Sequence, residues 1–371
     1  MSQLIQWLTI YYTRGLSARQ VRICLEQFQN VTTFFQATNE EWQQFGISSE
    51  IIAALRNPDW KSIERDINWV SSSSDHHIIS YDDPSYPPLL KNTADPPMVL
   101  FLYGKKEILV EEQIAIVGSR HATAMGKQIA EQFAYSLAQA GLTITSGLAT
   151  GIDAAGHRGA LKAKGKTIAV AGTGLFHTYP RCHKELVCDI VASKGSVISE
   201  FPLAMPPRAS HFPRRNRIIA GLSQGVLVVE AALKSGSLIT ARLAAEEGRD
   251  VFAIPGSIHH LLSHGCHHLI RQGAKLVETV TDILEELGKT IPKSVLQKNE
   301  AADNLCANLS PEYVQVLNQV GFEHTPVDLI ILRSGLTAGE VSSILLTLEL
   351  HGYIQLERSG YVRVINMAGH Q

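Results

Sequence analysis

Thr145-Ser-Gly-Leu-Ala-Thr-Gly-Ile-Asp153, with Gly118-Ser119-Arg120 one strand and helix earlier, decides the fold of this chain. Each glycine-containing turn follows a short apolar run that reads as a buried parallel strand, Gln113-Ile-Ala-Ile-Val117 and Leu142-Thr-Ile-Thr145. Each then opens onto a helical pattern, Ala124 to Ala140 and Ile152 to Ala163. Small residues at such junctions let backbone N–H groups approach an anion, and the helix N-terminus behind them favours negative charge. Two such turns from neighbouring strands lie side by side at the carboxyl edge of one sheet, where open α/β folds bind ligands. With Arg120 on the first turn, the expected guest is phosphate.

The same alternation extends outward. From Ile114 to about Leu287, the strand candidates are Ile114–Val117, Leu142–Thr145, Thr167–Ala171, Ser196–Ser199, Val226–Val229 and Asp250–Ile254, nearly all separated by helical patterns. This order predicts βαβ units and a mostly parallel sheet. Pro213-Arg-Arg-Asn-Arg217 concentrates charge just before the apolar Ile218-Ile219. Three arginines in four residues, plus Arg120, suit a polyanion better than a single nucleotide.

Before this core, residues 1–72 read as a module of short helices of SAM or helix-hairpin-helix type, closed by Ser71–Ser74. A proline-rich stretch follows, Tyr86-Pro87 and Pro96-Pro97, with one strand predicted at Val99–Tyr103. Gly288 to about Ser310 is polar and patternless. Beyond it come three helical patterns, Glu312–Val320, Val327–Arg333 and Ala338–His351, and an alternating hairpin from Tyr353 to Arg363, the outline of a winged helix.

Composition sets limits. The chain has 371 residues, 45% of them hydrophobic, and a net charge of −2, so any nucleic-acid site is a local patch rather than bulk charge. No run is long and apolar enough to span a bilayer, and five cysteines without a C-x-x-C pair point to reduced thiols; no membrane association and a cytoplasmic location are expected. No cofactor and no metal are expected either. His260, His264 and His268 are four apart, but Gly265 disfavours the helix that would align them and no carboxylate lies between Val251 and Val277.

Several motifs mislead. Gly165-Lys166-Thr167 runs helix to strand, the wrong order for a P-loop, and Gly172-Thr-Gly174 lacks the third glycine of a dinucleotide fingerprint. Ser223 in Gly221-Leu-Ser-Gln-Gly225 precedes its strand, unlike a nucleophile elbow. Asp153 and His157 are spaced to pair on one helix; the preferred reading is that Asp153 supports the helix start while His157 packs or faces solvent.

Together, Ala115-Ile-Val-Gly-Ser-Arg120, Ser146-Gly-Leu-Ala-Thr-Gly-Ile-Asp-Ala-Ala-Gly-His157, Tyr179-Pro180, Ser199-Glu200, Phe212-Pro-Arg-Arg-Asn-Arg-Ile-Ile-Ala-Gly-Leu222, Ser235-Gly-Ser-Leu-Ile-Thr-Ala241 and Ile254-Pro-Gly256 resemble the DNA-processing protein A (DprA/Smf) family, over about Tyr81 to Leu287. The resemblance implies an α/β protein with an extended Rossmann-like, mostly parallel core at 73–290, a linker at 291–310 and a winged-helix domain at 311–371. It implies single-stranded DNA binding, homodimerisation, loading of the RecA recombinase during natural transformation, and no enzymatic activity. Its DNA-contacting positions map to Gly118, Ser119 and Arg120, to Ser146, Gly147 and Gly151, to Lys184, and to Arg215, Asn216 and Arg217. Arg214 joins them on charge alone. The Arg-Asn-Arg segment has two open readings, a DNA contact or a brace in which at least one arginine, Arg217 above all, hydrogen-bonds carbonyls and Glu200 or Glu230. Phe176, His177, Tyr179 and Phe212 are candidates for base stacking, Phe212 more as a core anchor. Where the family places an asparagine after Tyr-Pro, this chain has Cys182-His183-Lys184.

Two other functions compete. Related Rossmann-like phosphoribohydrolases cleave nucleoside monophosphates, but their Pro-Gly-Gly-x-Gly-Thr loop is replaced here by Glu230-Ala-Ala-Leu-Lys-Ser-Gly-Ser237. Alternatively, the loops hold a small regulatory nucleotide. In the C-terminal domain Glu312, Glu323, Asp328, Glu340, Glu349 and Glu357 outnumber Arg333, Arg358 and Arg363, which points to protein contact or autoregulation rather than DNA reading.

Overall fold

The computed structural model describes residues 2–290, 309–322, 324–357 and 360–363. Contacts divide the chain into two compact units, 1–288 and 289–371. The expected linker at 291–310 falls, except for its last two residues, outside the described residues.

The first unit is built on a nine-stranded sheet. Its strands are β1 (His76–Ser80), β2 (Val99–Gly104), β3 (Gln113–Val117), β4 (Thr143–Ser146), β5 (Thr167–Val170), β6 (Ser196–Ser199), β7 (Gly225–Val228), β8 (Asp250–Ala253) and β9 (Lys275–Leu276). Their order is β1-β2-β6-β5-β4-β3-β7-β8-β9. From β6 to β9 every pairing is parallel, whereas β2 joins β6, and β1 joins β2, antiparallel. Central strands are buried along their whole length, β3 and β7 among them, which is why they read as unbroken apolar runs. Because the order reverses at β3, the loops after β3, β4 and β7 meet at a topological switch point on the carboxyl edge.

β1 was not anticipated. Its sequence, His-His-Ile-Ile-Ser, shows no alternation, and it forms because β2 offers a free edge and Trp69 stacks on His76 at 4.3 Å. The strand expected at Val99–Tyr103 is β2, one residue longer.

Six helices precede the sheet, from Gln3–Tyr12 to Trp60–Ser71. Their starts follow from capping: Ser17 and Thr38 form reciprocal capping boxes with Gln20 and Glu41, and Asn30, Ser48 and Asp59 each accept a backbone N–H. This module does not stand apart from the sheet. Trp7, Phe34, Trp42, Leu55 and Ile63 share one core with Val99 and Phe101 of β2.

The second unit packs helices Pro311–Gln319, Val327–Ser334 and Ala338–Leu350 around Val316, Leu317, Ile330, Val341, Leu345 and Leu348. A small antiparallel sheet completes it, with β10 (Thr325–Pro326), β12 (Gly360–Arg363) and β11 (Ile354–Glu357) in that order. This is a winged helix.

All four tryptophans lie in the N-terminal helices, so their fluorescence reports on that module. Phe101, fully buried in β2, joins the module to the sheet. Phe101→Ala should cost about 3–5 kcal/mol. Tryptophan fluorescence and far-ultraviolet circular dichroism should shift together in a denaturant titration; a shift in fluorescence alone would mean that the module unfolds independently.

Candidate nucleic-acid interface

The Gly118–Arg120 turn after β3 is locked from both sides. Ser119 N–H donates to the Glu230 carbonyl at 2.6 Å, and Ile152 N–H donates to the Ser119 carbonyl at 3.2 Å. Gly151 adopts φ +78°, and a Cβ there would overlap the Ser119 carbonyl oxygen, so this position requires glycine. The two loops read as a pair from the sequence are therefore in direct contact.

Carboxylates of the protein itself lie beside the two helix N-termini where phosphate was expected. Glu230 accepts hydrogen bonds from Thr123 N (2.9 Å) and Thr123 Oγ1 (2.6 Å), at the cap of helix Ala124–Gln139. Asp153 sits in the first turn of helix Ile152–Lys162 and accepts from Ala149 N at 3.3 Å. Burial pushes Asp153 upward, against the opposing pull of Arg215.

Arg215 lies within this layer rather than on the surface. Its Nη1 donates to the carbonyls of Gly147, at 2.6 Å, and Val170, joining the ends of β4 and β5. Burial draws the guanidinium down to about 10, which leaves it charged at neutral pH. Gly147 separates Arg215 from Asp153, and any side chain there would collide with both groups.

These placements correct part of the expected contact set. Ser146 is buried and donates to the Ile116 carbonyl at 2.6 Å; Gly147 is buried; Asn216 is buried and donates to the Gly236 carbonyl at 3.2 Å. With Arg215 they form the floor of the edge, their side-chain polar atoms bonded to backbone carbonyls. Of the two readings of Arg217, the structure displays the brace: it binds the Glu200 carboxylate and the Asp95 carbonyl (2.6 Å).

The remaining positions form a rim. Gly118, Ser119 and Gly151 are partly exposed, Arg120 and Lys184 are exposed, and the Arg214 side chain is 63% exposed. Arg120 lies over the Phe212 ring at 5.2 Å, and that ring packs 5.4 Å from Tyr179. Phe212 is half-buried against Gly172, while Phe176 (52%) and Tyr179 (44%) are open. His177 Nε2 lies 3.1 Å from the Ala204 carbonyl. Exposed Arg181, Arg208 and Lys234 extend the rim on the loops after β5, β6 and β7. Sequence reasoning missed these three, although a cation in a loop that follows a parallel strand was the available signal.

Asp153 and His157 do not act as a pair. His157 is fully buried, and its Nδ1 lies 2.7 Å from Thr167 Oγ1. The Thr167 hydroxyl proton goes to the Ile144 carbonyl, so Nδ1–H is the donor to Thr167. Ser223 is buried and donates to the Ile219 carbonyl. Among the described residues no group of three His, Cys, Asp or Glu side chains is arranged to hold a metal ion, and no single helix is long and apolar enough to cross a membrane.

A Rossmann-like sheet whose carboxyl rim carries cations and open aromatic rings, followed by a winged helix, defines a class of nucleic-acid-handling proteins. The family model described as DNA recombination-mediator protein A matches residues 77–288, and the DprA winged helix domain matches 300–357. Protein Smf of Escherichia coli K12 is 46% identical over 325 residues, covering 87% of this chain and 86% of its own length. The DNA processing protein DprA of Streptococcus pneumoniae is 50% identical over 204 residues, covering 55% of this chain and 72% of that protein. An X-ray structure of the Streptococcus pneumoniae protein superposes with a TM-score of 0.66 at 39% identity, covering 75% of this chain and 95% of that one. DNA processing protein A from Helicobacter pylori, described for its single-stranded DNA binding mode, gives a TM-score of 0.50 at 31% identity, over 54% of this chain and 92% of that one. The chain belongs to the DprA/Smf family.

Burial, then His183, then Arg215 lower His157 from 6.5 to about 3. Above pH 6.5 the ring is neutral in both folded and unfolded states. As pH falls toward 3 the unfolded chain binds a proton that the folded chain refuses, so stability drops by about 1.4 kcal/mol per pH unit. Denaturant unfolding at pH 7 and pH 5 should differ by about 2 kcal/mol more in the wild type than in His157→Asn; equal pH dependence would contradict the buried neutral ring.

Proposed function

We propose that this protein binds single-stranded DNA along the carboxyl rim of its sheet, and that it acts as a non-catalytic recombination mediator. The observation carrying this reading is the placement of the Glu230 and Asp153 carboxylates beside the two helix N-termini, where they repel a phosphate, next to a rim of Arg120, Lys184, Arg214, Arg181 and Arg208. A mononucleotide seat needs an empty helix N-terminus, whereas a strand running over the edge needs spaced cations and π-faces. Phe176 and Tyr179 supply the faces. The hydrogen bonds that Glu230 accepts from Thr123 also weigh against a phosphoribohydrolase, which needs a free glutamate after the equivalent strand, and against a small regulatory nucleotide.

The family membership supports the finer assignments: protection of incoming strands in natural transformation, delivery to the RecA recombinase, and action in the cytoplasm. We assign homodimerisation to the exposed apolar residues Ile258 and Leu261 beside helix His264–Arg271, with Leu276 on the edge strand β9. The winged helix is assigned to protein contact. Its helix Ala338–Leu350 bears Glu340 and Glu349 and exposes Leu346 (58%) and Leu350 (78%), a surface that repels phosphate and suits an apolar partner.

Fluorescence anisotropy of a labelled single-stranded oligonucleotide against a matched duplex tests the reading. With about four phosphates neutralised, the slope of log K against log salt should be about −3, with preference for the single strand. Arg120→Glu should weaken binding about tenfold or more and flatten that slope without shifting the melting temperature. Full affinity in the variant would remove Arg120 from the site.

A further inference from the structure

Glu200 follows β6, and its side chain is only 4% exposed, yet it meets the one rim arginine that is anchored to another charge. Its Oε2 binds the Arg217 guanidinium and lies 3.4 Å from Arg214 Nη2, while Oε1 has no partner within the protein. Arg214 is also held from below, its guanidinium lying 5.9 Å from the Phe201 ring centroid; Phe201 in turn stacks on His211 at 4.2 Å. The Glu200 backbone is fixed as well, because Tyr11 Oη donates to its carbonyl at 2.9 Å. Tyr11 comes from the first N-terminal helix and packs edge-on against Phe101 of β2.

We propose that Glu200 is a positioning residue for DNA binding: it holds Arg214 in place on the rim, and Tyr11 sets Glu200, so the N-terminal module contributes to affinity without touching DNA. The inference rests on the reading that the strand runs along the carboxyl rim. Arg214 is long and mostly exposed, and a free guanidinium loses rotamer freedom when it meets a phosphate. Pinned between a buried carboxylate and an aromatic face, it has lost that freedom before the strand arrives, which is preorganisation. Glu200 and Asp95, whose Oδ2 lies 3.3 Å from Arg217 Nε, together face Arg214 and Arg217, so the positive charge of the rim rests on Arg120, Lys184, Arg181 and Arg208 as well.

A double-mutant cycle in the full-length protein, read by anisotropy with labelled oligo(dT), tests this. Arg214→Ala and Glu200→Gln should each weaken binding about fivefold and make the salt slope shallower by about 0.7, the signature of one lost phosphate contact. The double variant should bind within about twofold of either single variant. Unchanged or tighter binding by Glu200→Gln, or additive losses in the double variant, would overturn the proposal. If Glu200→Gln does not fold, Tyr11→Phe, which removes only the hydroxyl, replaces it: weaker binding supports the proposal and wild-type affinity overturns it. Arg120→Ala, measured alongside, separates the two claims, because unchanged affinity in both Arg120→Ala and Arg214→Ala would defeat the rim reading itself.

Discussion

The site depends on where this fold places its own negative charges. In an open parallel sheet, the helix N-termini at the carboxyl edge attract anions, and many proteins leave them vacant for a nucleotide. Here Glu230 binds the capping Thr123 of one and Asp153 occupies the first turn of the next, with Arg215 buried opposite Asp153 and bonded to the ends of β4 and β5. The edge is closed and internally neutralised. Added phosphates can be received only above it, by side chains that reach out of the loops, and those side chains are cationic and aromatic. This geometry is the ground on which we propose a long flexible polyanion rather than a compact nucleotide.

The closed edge also explains the glycines. Gly147 leaves room between Arg215 and Asp153, Gly151 lets the β4 loop press on Ser119, and Gly126 clears the Glu230 carboxylate. In the sequence such glycines look like a phosphate cradle. In the structure Gly147 and Gly126 make room for protein carboxylates and a guanidinium, and Gly151 for a neighbouring backbone carbonyl, all of which need the same close approach.

Much of the core was legible in the sequence because parallel strands buried on both faces carry an unmistakable apolar run between helical periods. β1 and the two-residue β9 were not, since each exists through pairing with a neighbour rather than through a pattern of its own. The rim was half legible. Arg120, Lys184 and Arg214, expected as DNA contacts, are exposed. Arg215 was mapped to a DNA contact, with a brace to carbonyls as the other reading of its segment, and it lies three, four and seven residues before Ile218, Ile219 and Leu222, the buried stripe of helix His211–Leu222. Helical periodicity would have turned it inward; charge density obscured that. The burial of Asn216 and Ser146 was not legible for a related reason, since their polar atoms are satisfied by backbone carbonyls that only the folded edge brings near.

Hydrogen–deuterium exchange with and without oligo(dT) tests the central claim most directly, because it reports on every loop at once. The account predicts slowed exchange in peptides covering 118–123, 147–151, 176–184 and 208–214, with no change across 311–357. Protection centred on the winged helix, with the sheet edge unaltered, would contradict it.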